Sequence, residues 1–459
     1  MLRKIPILLA AILLLMVNFC FAMDKAEEQE LHEELAQMIG DTGTKVPGMG
    51  VIVYKDGKEV FSDFLGSAIV DSENPHNNRP FTRDSRFRVA SVSKMFTVFT
   101  LMQLQEQGKL DLDADVSRYL GFSLRNPNYP EQPITVRMLA SHTSSLRDGK
   151  IYSIPPQMSV QEFFKPEGKF YENGDHFAPQ GEEPGRYFAY CNLNYGILGT
   201  IIEKVTGERF DKYQKKHILR QLDIKADYLP GNFSKKEFAK LGAVYQKKDI
   251  AGKWDENGPW RATQDGYPKG QPEKDTAQLQ NPYQEDYQDT YSLEGYVPGT
   301  NATVFSPAGG LRISCDELSH VLSMLPKNGT YRGKQVLSPE SLQAMMGREW
   351  VYDKRAKNGK TYGGTILSYG LGLYQMDGGS TARFCENKEI DLVGHTGAAF
   401  GLLSMLSIRP GTKDGFLYIM NGEAVEEDED ERSFGKFSNN YIWEERLGDA
   451  ICRHTFSKE

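Results

Sequence analysis

Between Lys25 and Ile39 apolar residues recur at helical spacing. Leu31, Leu35, Met38 and Ile39 share one side and acidic residues fill the other, which predicts an amphipathic helix. The period then changes to two. Gly48 to Tyr54 and Glu59 to Phe64 flank Lys55-Asp56-Gly57-Lys58, a hairpin signature. A second pair stands near the far end, Gly401 to Ile408 and Phe416 to Met420, around the turn residues Pro410-Gly411-Thr412-Lys413-Asp414-Gly415. A closing helix is expected after it, with Tyr441, Ile442, Trp443, Leu447, Ile451 and Cys452 on its buried side.

Helical patterns occupy the middle of the chain: Phe96 to Gly108, Val136 to Ser141, Asn192 to Thr206 and Ser314 to Leu325. Strands at both ends with helices between them imply that the ends meet in one antiparallel sheet. The expected fold is α/β (α+β), a sheet flanked by terminal helices with an all-α region inserted. The sheet part is expected over about 23–90 and 326–459, and the helical part over about 91–325. From Lys247 to Thr300 aliphatic residues thin out while Gln, Asp, Gly, Pro and Tyr accumulate, which reads as a long structured insertion. Its aromatics, Trp254, Trp260, Tyr267, Tyr283, Tyr287, Tyr291 and Tyr296, either pack the insertion onto the body or stack on sugars and cover a cleft.

The first residues change the picture of location. Met1-Leu2-Arg3-Lys4, an apolar stretch from Ile5 to Phe19, and Cys20-Phe21-Ala22 have the order of a secretory signal peptide ending near Ala22. The stretch is short of the ~20 residues that a spanning helix needs, so an uncleaved anchor is the second reading. Bulky Phe19 argues against lipid attachment at Cys20. The mature chain is expected in the periplasm or outside the cell, where disulfides persist. Cys191, Cys315, Cys385 and Cys452 would then allow three complete pairings.

Composition excludes several function classes. A net charge of -8 over 459 residues does not suit a nucleic-acid scaffold or a polybasic membrane surface. The acidic run from Glu426 to Glu431 reads as a solvated loop. No metal or other cofactor is expected. No Cys-x-x-Cys occurs, His32-Glu33-Glu34-Leu35-Ala36 lacks the second histidine of a zinc helix, and Val116 stands where a calcium loop starting at Asp111, Asp113 and Asp115 needs glycine.

Three short stretches carry candidate chemistry. Ser91-Val92-Ser93-Lys94 precedes a strongly helical run, which places Lys94 one turn from Ser91 on the same side of a helix start. An amine there can take the hydroxyl proton, provided that its pKa is brought down from about 10.4. Tyr190-Cys191-Asn192 supplies a phenol that can exchange the proton and an amide that can hold the amine and the substrate. His395-Thr396-Gly397, followed by Ala398 and Ala399, opens the Gly401 strand, and small residues there let a substrate backbone lie alongside. The Ala398 N–H is expected to join that of Ser91 in an oxyanion hole. Singly the strings are weak, since Ser-x-x-Lys arises by chance about once or twice in such a chain. Ser433-Phe434-Gly435-Lys436 and Tyr171-Glu172-Asn173 are imitations.

In order and context these motifs resemble the serine hydrolase family that contains class C β-lactamases, low-molecular-weight DD-peptidases, and related esterases and D-amino-acid peptidases. Ile134 to Leu146, Pro307-Ala308-Gly309-Gly310-Leu311 and Tyr369-Gly370-Leu371-Gly372-Leu373 extend the likeness, which covers roughly Val46 to Asn421. The resemblance implies an acyl-enzyme at Ser91, a general-base pair of Lys94 and Tyr190, a positioning role for Asn192 and a substrate-binding strand at His395-Thr396-Gly397. It also implies substrates that are small peptides, β-lactams or esters, with peptidoglycan as a partner. Histidine replaces the lysine that many β-lactamases of this family carry, and at pKa ~6.5 it is only about a quarter charged at pH 7. A DD-carboxypeptidase-type peptidase acting on stem peptides is the leading expectation. β-Lactamase, esterase or D-amino-acid amidase, and a silent wall-fragment binder are the alternatives.

Overall fold

The computed structural model describes residues 23–456 except 250, 268, 282, 283 and 427–429. The expected leader lies outside the described residues, as do Tyr283 and the side chain of Tyr287 in the insertion and Glu427, Asp428 and Glu429 of the acidic run.

The two ends of the chain do meet. The main sheet is built, in chain order, from β1 (Gly48–Lys55), β2 (Lys58–Ile69), β3 (Arg79–Pro80), β4 (Trp350–Val351), β5 (Ser368–Tyr369), β6 (Tyr374–Met376), β7 (Leu392–Ala399), β8 (Leu402–Ile408) and β9 (Gly415–Met420). Its spatial order is β4-β5-β6-β7-β8-β9-β1-β2-β3, antiparallel throughout. The seam between the ends is the β1/β9 pair, with Met49 opposite Met420 and Val53 opposite Phe416.

Alternation along these strands feeds two cores. Val51 and Val53 of β1, Leu403 and Met405 of β8, and Phe416 and Tyr418 of β9 join Leu31 and Leu35 of helix α1 (Lys25–Ala36) on one side of the sheet. Ile52, Leu406, Leu417 and Ile419 turn the opposite way, into the larger core shared with the central helices. Those helices include α2 (Ser93–Glu106), α3 (Leu193–Thr206) and α4 (Cys315–Met324), and α5 (Ile442–Ile451) returns to the first side beside α1. Helix α4, which the sequence pattern groups with the helical region, lies against β1, β8 and β9. Its start is fixed by a capping box in which Ser314 and Glu317 satisfy each other's backbone N–H.

One sequence expectation needs correction. His395-Thr396-Gly397 does not open the Gly401 strand but lies inside the separate strand β7. Phe400 and Gly401, at φ +61° and +96°, make the two-residue turn into β8. The insertion also contains regular structure, the strands Trp260–Gln264, Thr276–Asn281 and Gln284–Ser292. Its aromatics fasten it to the body. Trp260 donates its indole N–H to Asp41 at 2.9 Å, and the Tyr296 hydroxyl donates to buried Glu203 at 2.6 Å.

Of the cysteines, Cys385 and Cys452 form a disulfide that ties the chain ahead of β7 to the end of α5, while Cys191 and Cys315 are buried thiols. A cross-link between positions 67 residues apart is worth about 4 kcal/mol in the chain-entropy account. Among the described residues, no helix is long and apolar enough to cross a membrane.

Candidate active site

Ser91 sits on a single 3-10 turn, Ala90–Val92, that runs directly into α2. Ala90 takes φ +42°, a conformation that costs an L-residue of order 1 kcal/mol and that turns the chain sharply from the strand at Arg86–Arg88 into the helix. Lys94 then lies one turn on, wholly buried. Its amine donates to Ser91 Oγ at 3.0 Å, Asn192 Oδ1 at 2.8 Å and the Ala308 carbonyl at 3.0 Å. Burial brings its pKa down to about 7, against an upward pull from Asp148. At neutral pH the amine is therefore a base with a lone pair free for part of the time, which an exposed lysine is not.

Segment 307–311 is fastened along α2 by consecutive side chains. Thr97 donates to the Pro307 carbonyl at 2.9 Å, Lys94 to Ala308, and the Leu311 N–H donates to Ser93 Oγ at 3.1 Å. The motif Pro307-Ala308-Gly309-Gly310-Leu311 thus forms the floor beneath Ser91 and Lys94.

Tyr190 and Asn192 arrive from the turn ahead of α3. Lys94 Nζ lies 4.7 Å from the Tyr190 ring centre. Burial holds the Tyr190 phenol well above its usual pKa, with a hydrogen bond to Ser91 pulling the other way. The pair is thus split by its surroundings into an amine that readily loses its proton and a phenol that keeps it. Asn192 is locked by Asp148, whose carboxylate accepts from its side-chain amide at 2.9 Å and from the Leu193 N–H at 2.8 Å. Beneath Tyr190, the His142 ring stacks at 4.2 Å and accepts from the Cys191 N–H through Nδ1 at 3.1 Å. Burial, with Lys94 nearby, keeps His142 neutral.

The third wall is β7. Strand β6 covers its outer edge only from Leu392 to Gly394, so from His395 to Ala399 no strand pairs on that side. Gly397 is pressed against the Ala90–Val92 turn. A methyl group there would stand 2.5 Å from the Val89 carbonyl and 3.0 Å from the Ser91 nitrogen. Ala398, next along, is exposed on the same stretch. Thr396 shares a 2.7 Å hydrogen bond with the Tyr374 hydroxyl. His395 is 1% exposed, and its Nε2 accepts from the Tyr369 hydroxyl at 2.9 Å while Nδ1–H donates to the Thr396 carbonyl. Burial, with the nearby Lys94 charge, lowers its pKa to about 3. It is a neutral, hydrogen-bonded strut at working pH rather than a part-time cation.

The structure thus brings Ser91, Lys94, Tyr190, Asn192, His395, Thr396, Gly397 and Ala398 to one cleft. The two imitations lie elsewhere: Ser433 donates to the Glu426 carbonyl, and Tyr171 precedes a one-turn 3-10 element. Sequence reasoning assigned no role to Asp148, His142, Tyr369 or Tyr374, which orient the named residues. Asp148 and His142 follow or sit within the Ile134–Leu146 stretch, and Tyr369 opens the Tyr369–Leu373 stretch, the two signals that marked these residues. Among the described residues, no group of His, Cys, Asp and Glu is placed to hold a metal ion.

Comparison with known proteins places the fold and the family. A solved D-amino acid amidase from Ochrobactrum anthropi SV3 superposes with a TM-score of 0.59 at 19% identity, over 93% of this chain and 99% of that one. A penicillin-binding protein homologue from Pyrococcus abyssi gives 0.57 at 22% identity, over 87% and 74%. Protein flp of Staphylococcus aureus (strain MRSA252) is 27% identical over 205 residues, 44% of this chain and 38% of that protein. The human mitochondrial serine beta-lactamase-like protein LACTB is 27% identical over 271 residues, 45% of this chain and 46% of its own. The chain thus spans less than half the length of these curated relatives. The family model described as Beta-lactamase matches residues 28–437, and on that match the chain belongs to the beta-lactamase family.

Proposed function

We propose that the protein is a serine hydrolase that forms an acyl-enzyme at Ser91 and passes the acyl group to water. The observation that carries this reading is the buried Lys94 amine, 3.0 Å from Ser91 Oγ and with its pKa brought to about 7. Neutral Lys94 takes the Ser91 proton as Oγ attacks the carbonyl carbon. The negative oxygen so formed is met by the Ser91 and Ala398 N–H groups. The Tyr190 phenol then passes a proton to the leaving group and is restored from Lys94. Water repeats the sequence in reverse, with Asn192 holding Lys94 in place.

The substrate lies along the free edge of β7 as an added strand, which suits a peptide-like amide or ester. A cell-wall stem peptide with D-residues is the leading class, in line with the amide-cleaving fold neighbour. Neutral His395 offers no counter-ion for a carboxylate on the leaving group. An amide or internal peptide bond is therefore favoured over release of a terminal D-alanine.

Export to the periplasm or beyond is part of the same proposal, supported by the signal-like start and by a disulfide of the kind that persists in oxidising compartments. The test is the intact mass of the mature chain after exposure to a diacylated lysyl-D-Ala-D-Ala peptide, its C-terminal amide, and a penicillin, with products followed in parallel. Faster release from the amide and a Ser91-dependent adduct are expected. A Ser91→Ala variant as active as the parent on all three overturns the mechanism.

A further inference from the structure

Arg88, half-buried, lies three residues ahead of Ser91, and its surroundings differ from those of the buried arginines. Arg86 is held by Glu237 and Glu317, Arg209 by Asp211 and Asp275, and Arg312 by Asp265. Arg88 has only neutral partners among the described residues. It donates to the Gly309 carbonyl at 2.9 Å, Gln264 Oε1 at 3.1 Å and Ser306 Oγ at 3.2 Å, and its guanidinium lies 5.3 Å from the Phe400 ring centre. A half-buried charge whose hydrogen-bond partners are all neutral is costly to maintain, and the acidic group that acts on it, Asp265, is already held by Arg312.

A second group points the same way. Gln264 is 4% exposed, and its Nε2 has no hydrogen-bond partner. The alternative amide orientation would set its NH₂ against the Arg88 donors, so Arg88 itself fixes the amide with its oxygen inward. A charged group with only neutral acceptors and an amide NH₂ with none thus meet at the same place.

That place is beside the nucleophile. Gly309, which holds Arg88, follows Ala308, which holds Lys94, and Gly309 packs against Ala90. Phe400 continues directly from the open stretch of β7. Thr263 donates to the Phe400 carbonyl at 2.6 Å and so brings the insertion strand and Gln264 to this end. Tyr190 marks the opposite, leaving-group end, where its ring centre lies 6.1 Å from that of His395. The acyl portion of a substrate therefore runs toward Ala399, Phe400 and Arg88.

We propose that Arg88 and the Gln264 amide form a subsite for a carboxylate on the acyl portion of the substrate. Resting on the reading of Ser91 as nucleophile, this inference narrows the substrate to acyl groups that carry an anion. A free α-ammonium in the same place would face a guanidinium and is disfavoured.

The test uses 4-nitrophenyl esters of D-alanine N-acylated with malonyl, succinyl or glutaryl, each beside its carboxamide. In the parent protein, kcat/KM for at least one chain length should favour the carboxylate by about ten- to a hundredfold. The ratio should fall close to one in Arg88→Ala and be reduced in Gln264→Leu. A ratio near one at every length in the parent, or one that survives Arg88→Ala, overturns the proposal. Should Arg88→Ala not fold, Arg88→Lys and Gln264→Leu decide, since an unchanged ratio in both overturns it equally. Turnover of none of the esters is a different result and removes the Ser91 reading beneath it.

Discussion

Asp148 holds Asn192 by its side-chain amide at 2.9 Å, so that the Asn192 oxygen can only face Lys94. The same carboxylate takes the Leu193 N–H at the start of α3. Its two acceptors therefore set both the amide orientation and the helix entry. In Asp148→Asn one of the two donors meets another donor, and Asn192 loses its fixed orientation. We expect about a 10²-fold loss of kcat/KM. Because Asp148 raises the Lys94 pKa, its removal should also move the acid limb of the pH–rate profile to lower pH. A purely structural role for Asp148 would leave that limb where it is.

The pH profile of the parent protein follows from which group titrates. Lys94 must be neutral to act, so kcat/KM should fall about tenfold per pH unit below about 7 and level off above it. His395, brought down to about 3, does not change charge between pH 5 and 8. The limb should therefore keep its midpoint in His395→Gln even as the rate falls with the loss of the Tyr369 contact. A midpoint that moves with this substitution would assign the limb to the histidine.

Gly397→Ala places a methyl group 2.6 Å from Ser404 Oγ and still closer to the Val89 carbonyl, which is backbone and cannot swing aside. β7 and the nucleophile turn must separate. Overpacking of this kind costs about 1–3 kcal/mol, and misplaced oxyanion donors cost about 10²- to 10³-fold in kcat. Thermal melts beside kcat should show both losses.

Glu203, in the last turn of α3, accepts from the Phe210 and Gly299 N–H groups and from the Tyr296 hydroxyl. Glutamine must turn an NH₂ toward one of those amides, so Glu203→Gln should lose about 1–3 kcal/mol of stability at neutral pH. Burial raises the carboxyl pKa from 4.5 to about 7. The folded protein then binds more protons than the unfolded chain between those values, and the stabilisation from this group falls as pH rises through that window. Denaturant melts of both proteins at pH 5 and pH 8 check the sign.

The strands of the main sheet that bury both faces were legible because each has the length to show a pattern, and the hairpins around Gly57 and Gly411 carry their own turn residues. Strands β4, β5 and β6 span two or three residues each, too few for any period to register. The end of β7 was misread because Phe400, an aromatic residue at positive φ, is not a turn signal. At the site, the candidate residues stood out through their fixed spacing and Tyr369 only as the start of the Tyr369–Leu373 stretch, whereas Asp148 and Tyr374 act through tertiary contacts that leave no mark in local sequence. The state of His395 was open for the same reason, since burial set it and burial is a property of the fold.

The seam between β1 and β9 has a consequence for timing. Met49 must wait for Met420, and the wall that receives substrate is made by residues beyond 391. Closing so long a loop is entropically costly and slow, and contacts this distant in sequence form late. Ser91 and Lys94 can enter their helix early and meet Asn192 and Ala308, yet the β7 side stays open until the last part of the chain is in place. A partly folded chain therefore lacks the β7 wall, which is completed only when the last strands are in place.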